Sequence, residues 1–295
     1  MGQGIQGGFC CRGIPDDCSR TSPVVSVIVP TLNPGPDLEP TLDSILGQTF
    51  RQFEILVVDG GSTDGTVDRL RRYGVRIECW ISEPDRGVYD ACNKGITMSR
   101  GIWIYILPAG DRLASPDLLD ALFAVRPAGK LVYGNVRLAG TGRIYDGRFT
   151  RHKLCRRNIC QQAIFYHRDL FRRLGMFDLK YPILADRVFN YRCFGAPWVG
   201  PEYRDMVIAE YRGGGLSEGG EDVAYVQDRY RIMKESLGLR FLVLHRLYEI
   251  QKGAVNALAE PVARWWRSRC GSQAGNGGRI EGKDEAPGGP GRSRE

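Results

Sequence analysis

No stretch of this 295-residue chain approaches the roughly 20 consecutive apolar residues that a helix needs to span a bilayer. Residues 1–22 lack the apolar core of a secretory leader, so the expected location is cytoplasmic. Histidine is scarce, with three in the chain, and the nine cysteines include no C-x-x-C pair. An odd count without a repeated spacing argues against a disulfide framework and for reduced thiols. Cys155 and Cys160, flanked by His152 and His167, leave a zinc site as the alternative; Cys10, Cys11 and Cys18 form a second cluster without metal spacing. No G-x-G-x-x-G follows the first apolar run, where VPTLNPG stands instead, which disfavours a dinucleotide-dependent oxidoreductase. No internal repeat is visible.

The composition, 42% hydrophobic and 25% charged, is that of an ordinary globular protein. The net charge of +7 is unevenly spread. Segment 137–173 holds ten Lys and Arg against two Asp, and 241–270 holds five against two Glu. Such clustering implies an acidic partner: a phosphate-bearing substrate, a membrane surface or nucleic acid. Residues 1–22 read as a flexible N-terminal arm and 271–295, rich in Gly, Pro and charge, as a disordered tail.

Between these ends the first half alternates regularly. Strands are expected at VVSVIVP (24–30), FEILVVD (53–59), VRIECWIS (75–82) and WIYIL (103–107). Helices are expected at 38–46, at 66–73, through the segment EPDRGVYDACNKGI (83–96), and from Pro116 with Ser115 as its cap. Strand–helix alternation with short links implies an α/β fold, a mostly parallel central sheet with helices on both faces. Ligands of such sheets bind beyond the carboxyl ends of the strands, here Pro30–Asn33, Asp59–Asp64, Glu83–Asp90 and Pro108–Asp111. After residue 125 the pattern changes. LVYGNVRLAGTGRIYDG reads as strand, Gly turn and strand, QQAIFYH (161–167) as another strand, and 168–174 and 182–195 as helices. Segment 222–260 is largely helical, with Val223, Val226, Tyr230, Met233 and Leu237 as its packing stripe.

Within EPDRGVYDACNKGI, Val88, Ala91, Cys92, Gly95, Ile96 and Ser99 make a small and apolar stripe suited to close packing on a sheet. Asp90, Asn93 and Lys94 lie off it. One account is an exposed Asp90–Lys94 ion pair contributing roughly 0.3–0.5 kcal/mol; the other is a ligand-facing polar surface.

Six motifs in order, VSVIVPTLN, LGQTFRQFEILVVDGGSTDGT, SEPDRGVYDACNKGI, GIWIYILPAGDRL, CQQAIFYHRDLFRRLGMFD and LADRVFNYR, resemble those of the family 2 inverting glycosyltransferases with a GT-A fold. The match runs from about residue 24 to about 212. The resemblance implies a GT-A domain over 23–240, with 23–125 as the nucleotide-sugar half and 126–240 as the acceptor half. A C-terminal helical extension follows. Pro30, with Asn33 near it, would line the nucleotide-base pocket, and Asp59 would accept from base or ribose. Gly60 stands where relatives commonly carry a second aspartate, so a UDP-sugar is the first expectation while GDP- and dTDP-sugars stay open. Asp85, Arg86, Asp90, Asn93, Lys94 and Gly110 complete the donor site. Of the family's Asp-x-Asp-Asp, PAGD retains only Asp111, which would hold Mg²⁺ or Mn²⁺ with the substrate's phosphates.

The resemblance makes Asp186 the general base, with Asp178 as its rival, and inversion requires no second, nucleophilic carboxylate. Gln161 and Gln162 are candidates for acceptor contact or amides on a half-buried strand. The implied reaction is transfer of a sugar from a nucleoside diphosphate to a hydroxyl of a glycan or lipid-linked acceptor in cell-surface polysaccharide or glycolipid synthesis, without nucleic acid. The basic amphipathic segment 241–270, with Trp265 and Trp266 among Arg264, Arg267 and Arg269, would meet an anionic membrane at the inner face or remain a solvated helix. The alternative function is a GT-A nucleotide-binding module without transfer activity, favoured by Gly60 and Gly110.

Overall fold

The structure is a computed structural model and describes residues 4–8, 22–214 and 220–252. The chain divides into two units, Met1–His245 and Arg246–Glu295. The cysteines at 10, 11 and 18, the tryptophans at 265 and 266 and the 271–295 tail lie outside the described residues.

A ten-stranded mixed sheet organises the first unit. Its strands are β1 (Ile5–Gly8), β2 (Val25–Thr31), β3 (Phe53–Asp59), β4 (Cys79–Ser82), β5 (Trp103–Ile106), β6 (Arg112–Leu113), β7 (Leu131–Leu138), β8 (Ile144–Tyr145), β9 (Ile164–His167) and β10 (Glu202–Tyr211). The order is β1-β4-β3-β2-β5-β9-β7-β10-β6, with β8 beside β7. The block β4-β3-β2-β5 is parallel, as the strand–helix alternation predicts. Every residue of β2 and all but the first of β3 are buried. Successive side chains point to opposite faces, so both faces of these strands are covered. Each such fully buried Val or Ile contributes about 1.5–3 kcal/mol.

The helices are α1 (Leu38–Leu46), α2 (Thr66–Tyr73), α3 (Val88–Met98), α4 (Leu118–Phe123), α5 (Arg151–Arg156), α6 (Arg168–Leu174), α7 (Ala185–Gly195) and α8 (Val223–Leu237). Ala91, Cys92, Gly95 and Ile96 of the expected stripe are buried in α3. A Cβ on Gly95 would stand 2.4 Å from Ile28 Cγ2. The small residue lets α3 approach β2 this closely.

Five local expectations need correction. Ile5–Gly8 of the supposed flexible arm pairs antiparallel with β4, because β4 otherwise ends the sheet with unpaired backbone groups. The third strand begins at Cys79 rather than 75, since Gly74 (φ 56°) leads a 3₁₀ turn, Gly74–Arg76, out of α2. The helix expected from Pro116 starts at Leu118, and Ser115 donates to Asp117 Oδ1 (2.6 Å) instead of capping backbone. Gln161–Ala163 is a 3₁₀ turn, so β9 starts at Ile164. In α8, Val223 and Val226 are exposed while Tyr225, Ile232, Met233 and Leu237 are buried. Met233 and Leu237 thus keep the expected stripe, while Tyr225, whose Oη bonds to Tyr191 Oη of α7 (3.0 Å), packs inward in place of Val223 and Val226.

Candidate active site

The carboxyl ends of β2 to β5 lie side by side, and the segments that leave them form one wall of a cavity of about 1180 Å³. Leu32 follows β2, Val88 and Tyr89 open α3, and Pro108–Asp111 follow β5. The opposite wall comes from the second half: Asn158, Gln161 and Gln162 before β9, Asp186 in α7, and Tyr211–Gly214 leaving β10.

Asp111 and Asp186 are 5% and 6% exposed, and burial raises both carboxyls above the usual aspartate range. Asp111 Oδ1 accepts the Arg212 N–H (2.9 Å) and Oδ2 accepts Gln162 Nε2 (2.6 Å). Asp186 Oδ1 accepts Tyr89 Oη (2.8 Å) and Oδ2 accepts Asn158 Nδ2 (2.6 Å). Asp186 is the second residue of α7, where the helix N-terminus favours negative charge. Aromatic packing fixes that helix: Phe189 stacks on Phe171 with centroids 4.7 Å apart and meets Phe177 at 5.3 Å.

Of the sequence-derived candidates, Gly110, Asp111, Gln161, Gln162 and Asp186 line this cavity. Gly110 has φ 105° and donates its N–H to Thr41 Oγ1 (2.9 Å), a conformation that glycine reaches without strain. Gln162 is not free for an acceptor, because it clamps Asp111 while its Oε1 takes the Cys160 S–H (2.9 Å). Gln161 keeps the acceptor reading, since its Nε2 is buried without a protein partner.

Several donor-side candidates hold the loops together instead of facing the cavity. Pro30 is buried in β2, and its carbonyl accepts the Ala109 N–H (3.3 Å). Asn33, at φ 47°, accepts from Thr63 N–H (2.8 Å) and so ties the β2 loop to the β3 loop. Asp59 is fully buried, with both oxygens taken by Ser62 and Ser82 hydroxyls and the Ser62 N–H. Asn93 exchanges two bonds with the Phe177 backbone (2.9 and 3.1 Å). Asp90 pairs with Arg86 (2.9 Å) and Lys94 with Glu83 (2.7 Å), so the expected Asp90–Lys94 pair is replaced by two others. Asp85 remains half-buried beside Gly60, where an added Cβ would come within 2.6 Å of its Oδ2. Asp178 is a turn residue accepting the Lys180 N–H (3.0 Å), outside the cavity lining.

Sequence reasoning missed Tyr89, Asn158, Asp37 and Arg212. The Arg212 guanidinium pairs with Asp37, and both residues line the cavity. Its signal was present, an arginine at a strand end before Gly213 and Gly214; Asn158 carried none.

Among the described residues no three His, Cys, Asp or Glu side chains form a metal-binding group, so the Cys155–Cys160 region is no zinc site there. Asp111 is a different case. Its buried charge is met by neutral donors alone, and one carboxylate suffices for a hard cation whose other oxygens come from phosphates and water. The donor set fits Mg²⁺ or Mn²⁺ shared with a substrate, not a closed cage.

A mixed sheet whose parallel block opens at its carboxyl ends onto one cavity is the GT-A type of fold. The description Glycosyl transferase family 2 matches residues 26–183, more than half the chain, and the chain belongs to that family; it is a glycosyltransferase. A PGL/p-HBAD biosynthesis glycosyltransferase of Mycobacterium bovis (strain BCG / Pasteur 1173P2) is 39% identical over 232 residues, which cover 76% of this chain and 90% of the relative. Glycosyltransferase AglE of Haloferax volcanii is 30% identical over 175 residues, 54% of this chain and 57% of that protein. S. aureus TarS 1–349 in complex with UDP-GlcNAc superposes with a TM-score of 0.58 at 18% identity, covering 75% of this chain and 66% of that 1–349 chain. Mannosyltransferase PcManGT from Pyrobaculum calidifontis, in complex with GDP-Man and Mn²⁺, gives 0.53 at 18% identity and 83% coverage of both chains.

Proposed function

We propose that this glycosyltransferase moves a sugar from a nucleoside diphosphate to an acceptor hydroxyl with inversion, with Asp186 as general base. The observation that carries the reading is the meeting of Asp111 and Asp186, from opposite halves of the chain, on one cavity at the strand ends. The acceptor O–H gives its proton to Asp186 as its oxygen attacks the anomeric carbon. The bond from that carbon to the diphosphate breaks, and the nucleoside diphosphate leaves with the electron pair. A raised carboxyl suits this task, because a base is most effective when its pKa approaches the working pH. Asp111 would hold a divalent cation, which when bound stabilises the charge developing on the leaving diphosphate. Arg212 stands at the same cavity to meet that charge from the protein side.

A UDP-sugar is the favoured donor; the solved neighbours hold UDP-GlcNAc and GDP-Man, which keeps the GDP-sugars in view. The 39% identical relative supports a glycolipid or cell-surface glycan as the product. Among the described residues no helix is long and apolar enough to cross a membrane. Leu239, Val243 and Leu244 are exposed near the end of the first unit and support docking at a membrane face, which the basic residues of 241–270 would favour as an anionic one.

A thermal-shift screen of UDP-, GDP-, dTDP- and CMP-sugars with and without Mn²⁺ tests the donor, since saturation at a hundred times Kd stabilises by about 2.7 kcal/mol. Asp111→Ala is expected to lose the Mn²⁺-dependent part of the shift. Asp186→Asn keeps the shift and loses transfer. Full transfer by Asp186→Asn would refute the base assignment, and donor binding without turnover by the unaltered chain would make it a binding module.

A further inference from the structure

Asp186 is held at both oxygens by side-chain donors from different halves of the chain, besides a backbone bond from Arg187. Tyr89 reaches Oδ1 from α3, the helix that follows the donor-side loop. Asn158 reaches Oδ2 from the segment before β9. Behind Asn158 runs a chain of polar groups: Asn190 Nδ2 donates to Asn158 Oδ1 (3.0 Å), and Tyr166 Oη donates to Asn190 Oδ1 (3.1 Å). Asn190 and Tyr166 are both fully buried. A carboxylate only accepts, so this chain runs in one direction and turns the Asn158 amide nitrogen toward Asp186.

An apolar side chain would fill the place of Asn190 without the desolvation cost of a buried amide. The polar chain ends on the base. We propose that Tyr89 and Asn158 are positioning residues for the base Asp186, with Asn190 and Tyr166 orienting Asn158. The inference rests on the reading of Asp186 as the base.

The electrostatic consequence has a definite sign. Burial raises the Asp186 carboxyl, while the Tyr89 and Asn158 donors pull it back down by stabilising the ionised form. Removing either donor therefore raises it further. The other titratable or charged groups around it are Cys92 of α3, Cys160, Tyr166 of β9 and Arg187 of α7. Burial pushes Cys160 up to about 12, and raises Cys92 and Tyr166 as well. Those three groups stay neutral and Arg187 stays charged while Asp186 titrates.

The test uses the full chain in three forms: unaltered, Tyr89→Phe and Asn158→Asp. Tyr89→Phe retains the ring that packs on Phe177 at 5.3 Å and is the variant safest for folding. Asn158→Asp keeps the shape but replaces a donor with a like charge. The first readout is the ¹³C titration of the Asp186 carboxyl, assigned by its loss in Asp186→Asn. The second is nucleoside diphosphate release from UDP-GlcNAc and GDP-Man, with octyl glucoside as the hydroxyl probe, as a function of pH.

Tyr89→Phe is expected to lower kcat roughly tenfold at neutral pH with the donor KM unchanged, and to move the acid limb upward. Asn158→Asp moves the titration midpoint up by about a unit or more, and its activity returns at higher pH. A folded variant whose midpoint and acid limb stay in place, or one that loses activity equally at every pH, overturns the positioning role. Were Asp186→Asn itself to retain transfer, the base reading would fall first. An inactive Asp186→Asn with unmoved limbs in both variants sinks this inference alone.

Discussion

Asp111 and Asp186 receive hydrogen bonds only from neutral groups, yet they differ in what stands near them. Asp111 lies beside the Arg212–Asp37 pair at the cavity, in which Arg212 is 58% and Asp37 35% exposed. An ion pair this open contributes little, so the guanidinium can leave Asp37 for a diphosphate at small cost. Arg212→Gln is expected to weaken donor binding about tenfold by isothermal titration, the worth of one charge-assisted bond, and to leave the melting temperature unchanged. Unaltered affinity would place Arg212 away from the phosphates. The motif resemblance pointed to Asp186 and Asp111, and both line the cavity. It also pointed to Asn93, whose amide is occupied by the Phe177 backbone, 84 residues away in the chain.

At the scale of elements, the start of α7 depends on α8. Asp222, 3% exposed, caps α8 by accepting the Tyr225 N–H (3.0 Å), and its other oxygen accepts the N–H groups of Ile183 and Leu184 (3.0 Å each). Those two residues immediately precede the helix that carries Asp186. Asp222→Ala removes a cap worth about 1 kcal/mol and leaves two further donors short of a partner. Urea unfolding is expected to show a loss of roughly 2–3 kcal/mol, with transfer reduced more than donor binding. A loss confined to stability would show that the 183–184 segment does not set the base. The expected stripe of α8 held at Met233 and Leu237, and Tyr225, bonded to Tyr191, packs inward where Val223 and Val226 were expected.

At the scale of the molecule, the two halves meet at the strand ends, and the Tyr89–Asp186 and Asn93–Phe177 bonds cross between them. The second half carries the basic stretch 137–173, and Leu239, Val243 and Leu244 are exposed. The full chain is expected to co-sediment with vesicles containing anionic lipid and to leave them at high salt, since each basic residue near the surface contributes about 1 kcal/mol within a Debye length. Equal binding to neutral vesicles, or none to either, would remove the membrane from the proposal.

The sequence alone determined the parallel block and the strand ends at which the cavity opens, because β-branched runs, helix periods and glycine turns act over a few residues. It also identified the family through motifs set at strand ends. Only the tertiary structure decided which polar residues serve the cavity and which serve the fold. Asp59, Asn33 and Asn93 are claimed by partners 3 to 84 residues away, while Arg212, 101 residues from Asp111, comes to lie beside it. A hydrogen bond needs a partner within about 3 Å, and chain separation says nothing about that distance until the sheet has formed.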